Sequence, residues 1–498
     1  MRITVATQPA RIADSDSLVL IHGDMVPHLG ALSPVCREEF RRFRHDVEEG
    51  GVKSPRTLVL RDGRSRLCLC MTSTTFHSRF PEVERLKIAA AEASRIARNG
   101  GSTGKIHFCL PAGRRSAGAA AAIAEGLVLG SYRFTRFRPQ ADRGLGSSPS
   151  AARLVTQPSD RTAVGKAVKR AVAVAESVNA ARELANAPGR RLVPADLARH
   201  ARRVARAAGL QCQVLDEKAL AREGYNGLLT VGAGSDFPPR MVVVRHRPAR
   251  ASQSPHLCFL GKGVTFDTGG ICLKPAEKMW EMKADMAGAA AVLHAVEAIA
   301  HLALPIRVSA ILAAAENTPG PRATLPGEVF TARSGKTVHV INTDAEGRLV
   351  LTDALHRAGE EKATAIVDVA TLTGAIVRAI GPSLTGLMSN DPSLAQRLKE
   401  AGAASGEDLC ELPLHEEYRD LLKSDVADIS NTSSSKNGGA ITAALFLSEF
   451  VPVDTVWAHL DIAGAAFRDE KWKYFESGAT GAMVRTLVRL AESFAGKP

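Results

Sequence analysis

The chain has 498 residues, 45% hydrophobic and 23% charged, which suits a soluble globular protein of two or three domains and excludes a disordered or fibrous chain. No run reaches the roughly 18 apolar residues of a helical membrane span. The net charge of +12 is unevenly spread: residues 1–250 hold 41 Lys+Arg against 22 Asp+Glu, and residues 251–498 hold 23 against 30.

The first ten residues lack the apolar core of a signal peptide. The eight cysteines are scattered and form no CxxC pair, as expected of reduced thiols in a cytoplasm. Residues 1–138 alternate short apolar runs (Ser17 to Ile21, Thr57 to Leu60, Lys105 to Leu110) with helical stretches (Pro81 to Arg98, Ser116 to Leu129). That pattern predicts a small N-terminal α/β domain. Residues 139–160 are rich in Pro, Ser and Gly and read as a linker. With an amphipathic helix from about Arg161 to Asn186 they make a connecting segment, 139–187. Residues 188–498 then alternate strands (Met241 to Val244, Leu257 to Leu260, Ile306 to Leu312, Ala365 to Val369, Thr455 to Leu460) with helices. The expected fold class is α/β, with a larger C-terminal domain built on a central mixed sheet sandwiched by helices.

The basic excess gathers in Tyr132 to Arg138 and in Arg199, His200, Arg202, Arg203 and Arg206. Basic surfaces attract nucleic acid. A DNA-binding regulatory or architectural role of the basic front half is therefore the alternative reading of this chain.

Chemistry concentrates further on. After the apolar run Leu257 to Leu260 comes Gly261-Lys262-Gly263-Val264-Thr265-Phe266-Asp267-Thr268-Gly269-Gly270, followed by Lys274 and Asp285. This reads as a strand leaving into a glycine-rich loop that carries Lys262, Asp267, Lys274 and Asp285 close to a ligand. A second cluster, Asn342-Thr343-Asp344-Ala345-Glu346-Gly347-Arg348-Leu349, spaces Asp344, Glu346 and Arg348 by two. On an extended segment these three charges share one face. Desolvating them is costly without compensation; a divalent cation suits the acids and an anion suits the arginine.

These two clusters resemble the leucyl aminopeptidase family, the cytosolic two-metal exopeptidases. The resemblance continues through Asp368 to Ala375, Gly438 to Leu447 and His459 to Gly464, and covers roughly residues 165 to 495. It implies that 188–498 is a catalytic peptidase domain with two divalent ions per subunit, Zn2+ or Mn2+. The tighter ion is expected on Lys262, Asp267, Asp285 and Glu346, and the exchangeable one on Asp267, Asp344 and Glu346. A water shared by two such ions is acidified into a nucleophile. The resemblance assigns the catalytic roles to Lys274, which stabilises the oxyanion, and to Arg348, which holds a bicarbonate ion as proton shuttle. Lys262 as a ligand must be the neutral amine, so neighbouring cations must depress its pKa. Substrate contacts are expected from Met282, Thr371, Gly374 and Ala463 around a leucine-like side chain, and from the backbone of Leu372. The implied activity is release of N-terminal amino acids from peptides with a free N-terminus, by a homohexamer in the cytoplasm without a membrane partner.

Overall fold

The computed structural model describes residues 2–7, 17–22, 34–62, 65–99, 105–110, 113–139, 151–251 and 255–495. The chain divides into two compact units, residues 1–176 with 470–477 and residues 177–469 with 478–498.

The first unit carries strands β1 (Arg2–Ala6), β2 (Ser17–His22), β3 (Arg56–Asp62), β4 (Ser65–Ser73), β5 (Lys105–Cys109) and β6 (Ala151–Val155). They form one sheet in the order β1-β6-β5-β2-β4-β3, parallel except for the β3–β4 pair. Successive side chains of a strand face opposite sides. In β2, Val19 and Ile21 therefore join a core with Leu86, Ile106, Phe108, Ile123 and Leu154. Leu18 and Leu20 join another with Phe40, Phe43 and Met71. Both faces are covered, as a parallel sheet requires. One expectation fails here. Residues 151–155, inside the stretch read as a linker, form β6, which pairs with β1 and β5 along its whole length. Burial of Ala152 and Leu154 outweighs the turn-like composition before it. Residues 140–150 of that stretch lie outside the described residues.

The helix Arg161–Ala185 begins in the first unit and ends in the second. The second unit is built on β7 (Gln211–Leu215), β8 (Arg240–His246), β9 (His256–Asp267), β10 (Arg307–Asn317), β11 (Glu328–Thr331), β12 (Thr337–Val340), β13 (Ala365–Ala370), β14 (Thr385–Ser389), β15 (Leu409–Glu411), β16 (Ile429–Ser430) and β17 (Val456–Asp461). Eight of these make the central sheet, β15-β14-β17-β13-β9-β10-β8-β7. The four middle strands β17, β13, β9 and β10 run parallel, and β8 and β14 are antiparallel to their inner neighbours. The sheet is therefore mixed, as expected. A small sheet, β11-β12-β16, lies apart from it.

Two local expectations are corrected. The strand after Leu257 does not end at Leu260; β9 runs to Asp267, paired with β10 and β13. Lys262 is thus a strand residue rather than a loop residue. Gly261 serves close packing, because a Cβ there would stand 2.4 Å from Ala289 Cα. The octamer around Asp344 is not extended. Asn342 Oδ1 accepts the amide of Asp344 at 2.8 Å, closing an Asx turn. Glu346 then stands immediately before the helix Gly347–Glu360, with Arg348 in its first turn.

The basic clusters fall on different units. Residues 132–138 belong to the first, and the helix Pro194–Ala208 with Arg199, Arg202, Arg203 and Arg206 to the second. No helix among the described residues is long and apolar enough to cross a membrane.

Candidate metal centre and active site

All the expected site residues lie in the second unit. They gather where the parallel strands end. Asp267 closes β9, Asn317 closes β10, Thr371 follows β13 and Asp461 closes β17. The C-terminal ends of adjacent parallel strands are the usual site of ligands in α/β sheets.

Lys262 is 2% exposed, and its Nζ reaches three elements at once. It donates to Asp285 Oδ1 at 2.8 Å and to Thr371 O at 2.8 Å, and lies 2.7 Å from Glu346 Oε1. The Thr371 hydroxyl donates to Asp285 Oδ1 at 2.7 Å. Thr371, expected only as a pocket residue, therefore also holds Asp285. Lys274 Nζ lies 2.8 Å from Asp267 Oδ2 and pairs with Asp344. The loop that brings it there turns on Gly269, at φ +88, where a Cβ would stand 2.4 Å from Cys272 O.

The electrostatics follow from burial and from the sign of the neighbours. Burial pushes the carboxyls of Asp267, Asp285 and Asp344 above their usual range. Burial also opposes the charged form of Lys262, but Asp285, Glu346 and Asp267 outweigh it and hold the amine above its ordinary value. The same balance, led by Asp267, raises Lys274. Four carboxylates face two ammonium groups here, so negative charge is in excess in a buried place. Asp267, Asp344 and Glu346 each offer a ligand oxygen, all within 4.8 Å of one another. Oxygen donors at this separation, with surplus negative charge, fit divalent cations.

Arg348 is 8% exposed. Its Nη1 donates to Asn431 O at 2.7 Å, while its Nε has no hydrogen-bond partner among the described residues. Burial lowers the guanidinium to about 10 against the pull of Glu346 and Asp461. A buried cation with a free donor fits a small anion.

Among the substrate candidates, the structure joins Leu372 and Ala463 through Asp461, whose Oδ1 accepts both amides, at 3.1 and 3.2 Å. Met282 is half-buried in the short helix Met279–Ala284 that leads to Asp285. Gly374 opens the helix Gly374–Ile380.

Three supporting residues were not singled out from the sequence. Asn317 Nδ2 donates to Asp267 Oδ1 at 2.8 Å and to Thr343 O at 3.0 Å. Asn431 Oδ1 accepts the amide of Ile341 at 2.9 Å, and its Nδ2 donates to Asn342 O at 2.7 Å. Asp461 gathers the loops after β13 and β17. Buried polar residues ending an apolar strand, as in Ala313-Ala314-Ala315-Glu316-Asn317, were the available signal.

Comparison with known proteins gives the family of the chain. The model of the cytosol aminopeptidase family catalytic domain matches residues 179–488, and that of the family's N-terminal domain matches residues 81–140. A probable cytosol aminopeptidase of Streptomyces avermitilis is 47% identical over 415 residues, covering 82% of this chain and 79% of the relative. One from Roseiflexus castenholzii is 44% identical over 412 residues, covering 82% and 84%. Among solved structures, a tomato leucine aminopeptidase variant superposes with a TM-score of 0.84 at 32% identity, covering 99% of this chain and 96% of that one. The bottromycin maturation enzyme BotP in complex with Mn gives 0.82 at 34% identity, covering 97% and 100%. With the catalytic-domain match spanning the strands and loops that assemble the acidic cluster, the chain belongs to the cytosol aminopeptidase family of dinuclear metallopeptidases.

Proposed function

We propose that Lys262, Asp267, Asp285, Asp344 and Glu346 hold two divalent cations, zinc or manganese, and that this centre releases leucine-like residues from peptides with a free N-terminus. The convergence of Asp267, Asp344 and Glu346 in a buried, negatively charged place carries the reading. Cations held there supply Lewis acidity and lower the pKa of a bound water.

The chain's own groups do the rest. Lys274 keeps its charge beside Asp267 and Asp344 and donates to the oxyanion that develops on the scissile carbonyl. Thr371 O accepts a hydrogen bond from Lys262 Nζ, which orients that side chain. Arg348 would hold bicarbonate, which would supply a proton acceptor there. Met282, Thr371, Gly374 and Ala463 line the first side-chain pocket, and the Leu372 backbone meets the peptide.

The proposal extends to a homohexamer in the cytoplasm, on the strength of the resemblance; sedimentation of the purified protein reads the assembly. The support for DNA binding is the charge of residues 1–250 alone, and that charge is divided between the two units.

The test is hydrolysis of leucine p-nitroanilide after chelator treatment and re-supply of zinc, manganese or cobalt, beside the Glu346→Ala variant. Activity restored by metal in the parent and absent from the variant is expected. No activity with any metal in properly assembled protein overturns the reading.

A further inference from the structure

Asp461 is fully buried at the end of β17. Its Oδ1 accepts the amides of Leu372 at 3.1 Å, Ala463 at 3.2 Å and Thr373 at 3.4 Å. Its Oδ2 accepts the Thr373 hydroxyl at 2.8 Å. Thr373 Oγ1 in turn accepts the amide of Ile376 at 3.1 Å and caps the helix Gly374–Ile380. One carboxylate therefore fastens the loop after β13 to the loop after β17.

The peptide unit between Thr371 and Leu372 carries this anchor further. It is planar and trans, so its N–H and C=O point to opposite sides. The N–H goes to Asp461. The C=O accepts from Lys262 Nζ at 2.8 Å. A charged acceptor on the N–H polarises the unit and strengthens what its carbonyl accepts. From the same residue, the Thr371 hydroxyl reaches Asp285 Oδ1. Asp461 thus stands one peptide bond away from Lys262, on the far side from the acidic cluster.

We propose that Asp461 is a positioning residue of this site. Through the Thr371–Leu372 peptide it sets Thr371 against Lys262 and Asp285. Through the amides of Leu372 and Ala463 it holds together the two walls of the side-chain pocket. The proposal rests on the aminopeptidase reading of the site. It separates two properties of the side chain. Asparagine at 461 keeps an oxygen for the three amides but offers an NH2 group where Thr373 now donates. Alanine removes both anchors.

The experiment compares the parent with Asp461→Asn, Asp461→Ala and Thr373→Val. Each is assayed with leucine, alanine and phenylalanine p-nitroanilides, and the manganese or zinc retained after dialysis against a graded chelator is measured by elemental analysis. Asp461→Ala is expected to raise KM for the leucine substrate roughly tenfold and to compress the leucine-over-alanine ratio of kcat/KM toward one. Retained metal falls as for a lost orienting partner, roughly 10–100-fold in affinity. Asp461→Asn falls between parent and alanine, because it keeps the amide anchor. A folded Asp461→Ala protein with parental KM, selectivity and metal retention overturns the proposal. Should that variant not fold, Asp461→Asn and Thr373→Val read the same quantities, and parental values in both overturn it equally. An inactive parent strikes at the aminopeptidase reading instead, while metal retention still tests the role of Asp461.

Discussion

Asn317 Nδ2 donates to Asp267 Oδ1 at 2.8 Å. The same oxygen accepts the amide of Gly269 at 2.9 Å, while Oδ2 faces Lys274. Two donors therefore fix the carboxylate in its plane and decide which oxygen is turned toward the other acids. Asn317 also ties the end of β10 to the octamer loop through Thr343 O.

Orienting partners of metal ligands are worth roughly 10–100-fold in affinity or activity. Asn317→Ala is expected to lose metal at a correspondingly lower chelator concentration than the parent, with the fold retained. A chelator titration followed by elemental analysis reads this, and coincident curves reject the role of Asn317.

Gly347 opens the helix that follows Glu346. A Cβ there would stand 2.7 Å from Lys262 Cε and 2.9 Å from its Nζ. The tip of a lysine swings aside more readily than a backbone shifts, and alanine is the better helix former. Gly347→Ala should therefore keep its melting temperature and displace the amine. Misplacement by about 1 Å costs about 100-fold in rate, so kcat/KM is expected to fall by that order. Parental activity in this variant removes Lys262 from the machinery.

Asp353 is fully buried on the same helix. Burial raises its carboxyl to about 7, against the amides of Leu228 and Gly227. In the unfolded chain an Asp ionises near about 3.9. Between about pH 4 and 7 the unfolded state has released this proton while the folded state retains it, so this residue's contribution to stability declines as pH rises through that window. Asp353→Asn cannot ionise. Its melting temperature relative to the parent should become more favourable from about pH 4 to about pH 7 and level off above. A difference that does not change with pH rejects the buried proton.

A site that takes the free N-terminal amine of its substrate has no place for an acylated one. Leucine p-nitroanilide is expected to be hydrolysed, and N-acetyl-leucine p-nitroanilide to stay at background. Comparable rates for the two reject the exopeptidase reading, whatever the metal.

Residue types and spacing pointed to a divalent-cation site beside an anion-holding arginine, and the family resemblance that the same residues carry supplied the expected roles. Acids at 267, 285, 344 and 346, lysines at 262 and 274 and Arg348 stand in two short clusters, and clusters of this kind are legible because their members are close in sequence. The parallel strands were legible too, as short apolar runs, and β9, β10, β13 and β17 all stand where those runs predicted. What the sequence misread was local geometry. It took Lys262 for a loop residue, although pairing with β10 holds that segment in the sheet. It took the octamer for an extended face, although Asn342 turns it and Glu346 begins a helix. Tertiary structure alone chose the supporting residues. Asn317 meets Asp267 across 50 positions, Asn431 meets Arg348 across 83, and Asp461 meets Leu372 across 89. No local pattern encodes such pairs. They exist because parallel strands distant in sequence end side by side, and a polar group buried at those ends must find its hydrogen-bond partner in whichever loop the sheet brings there.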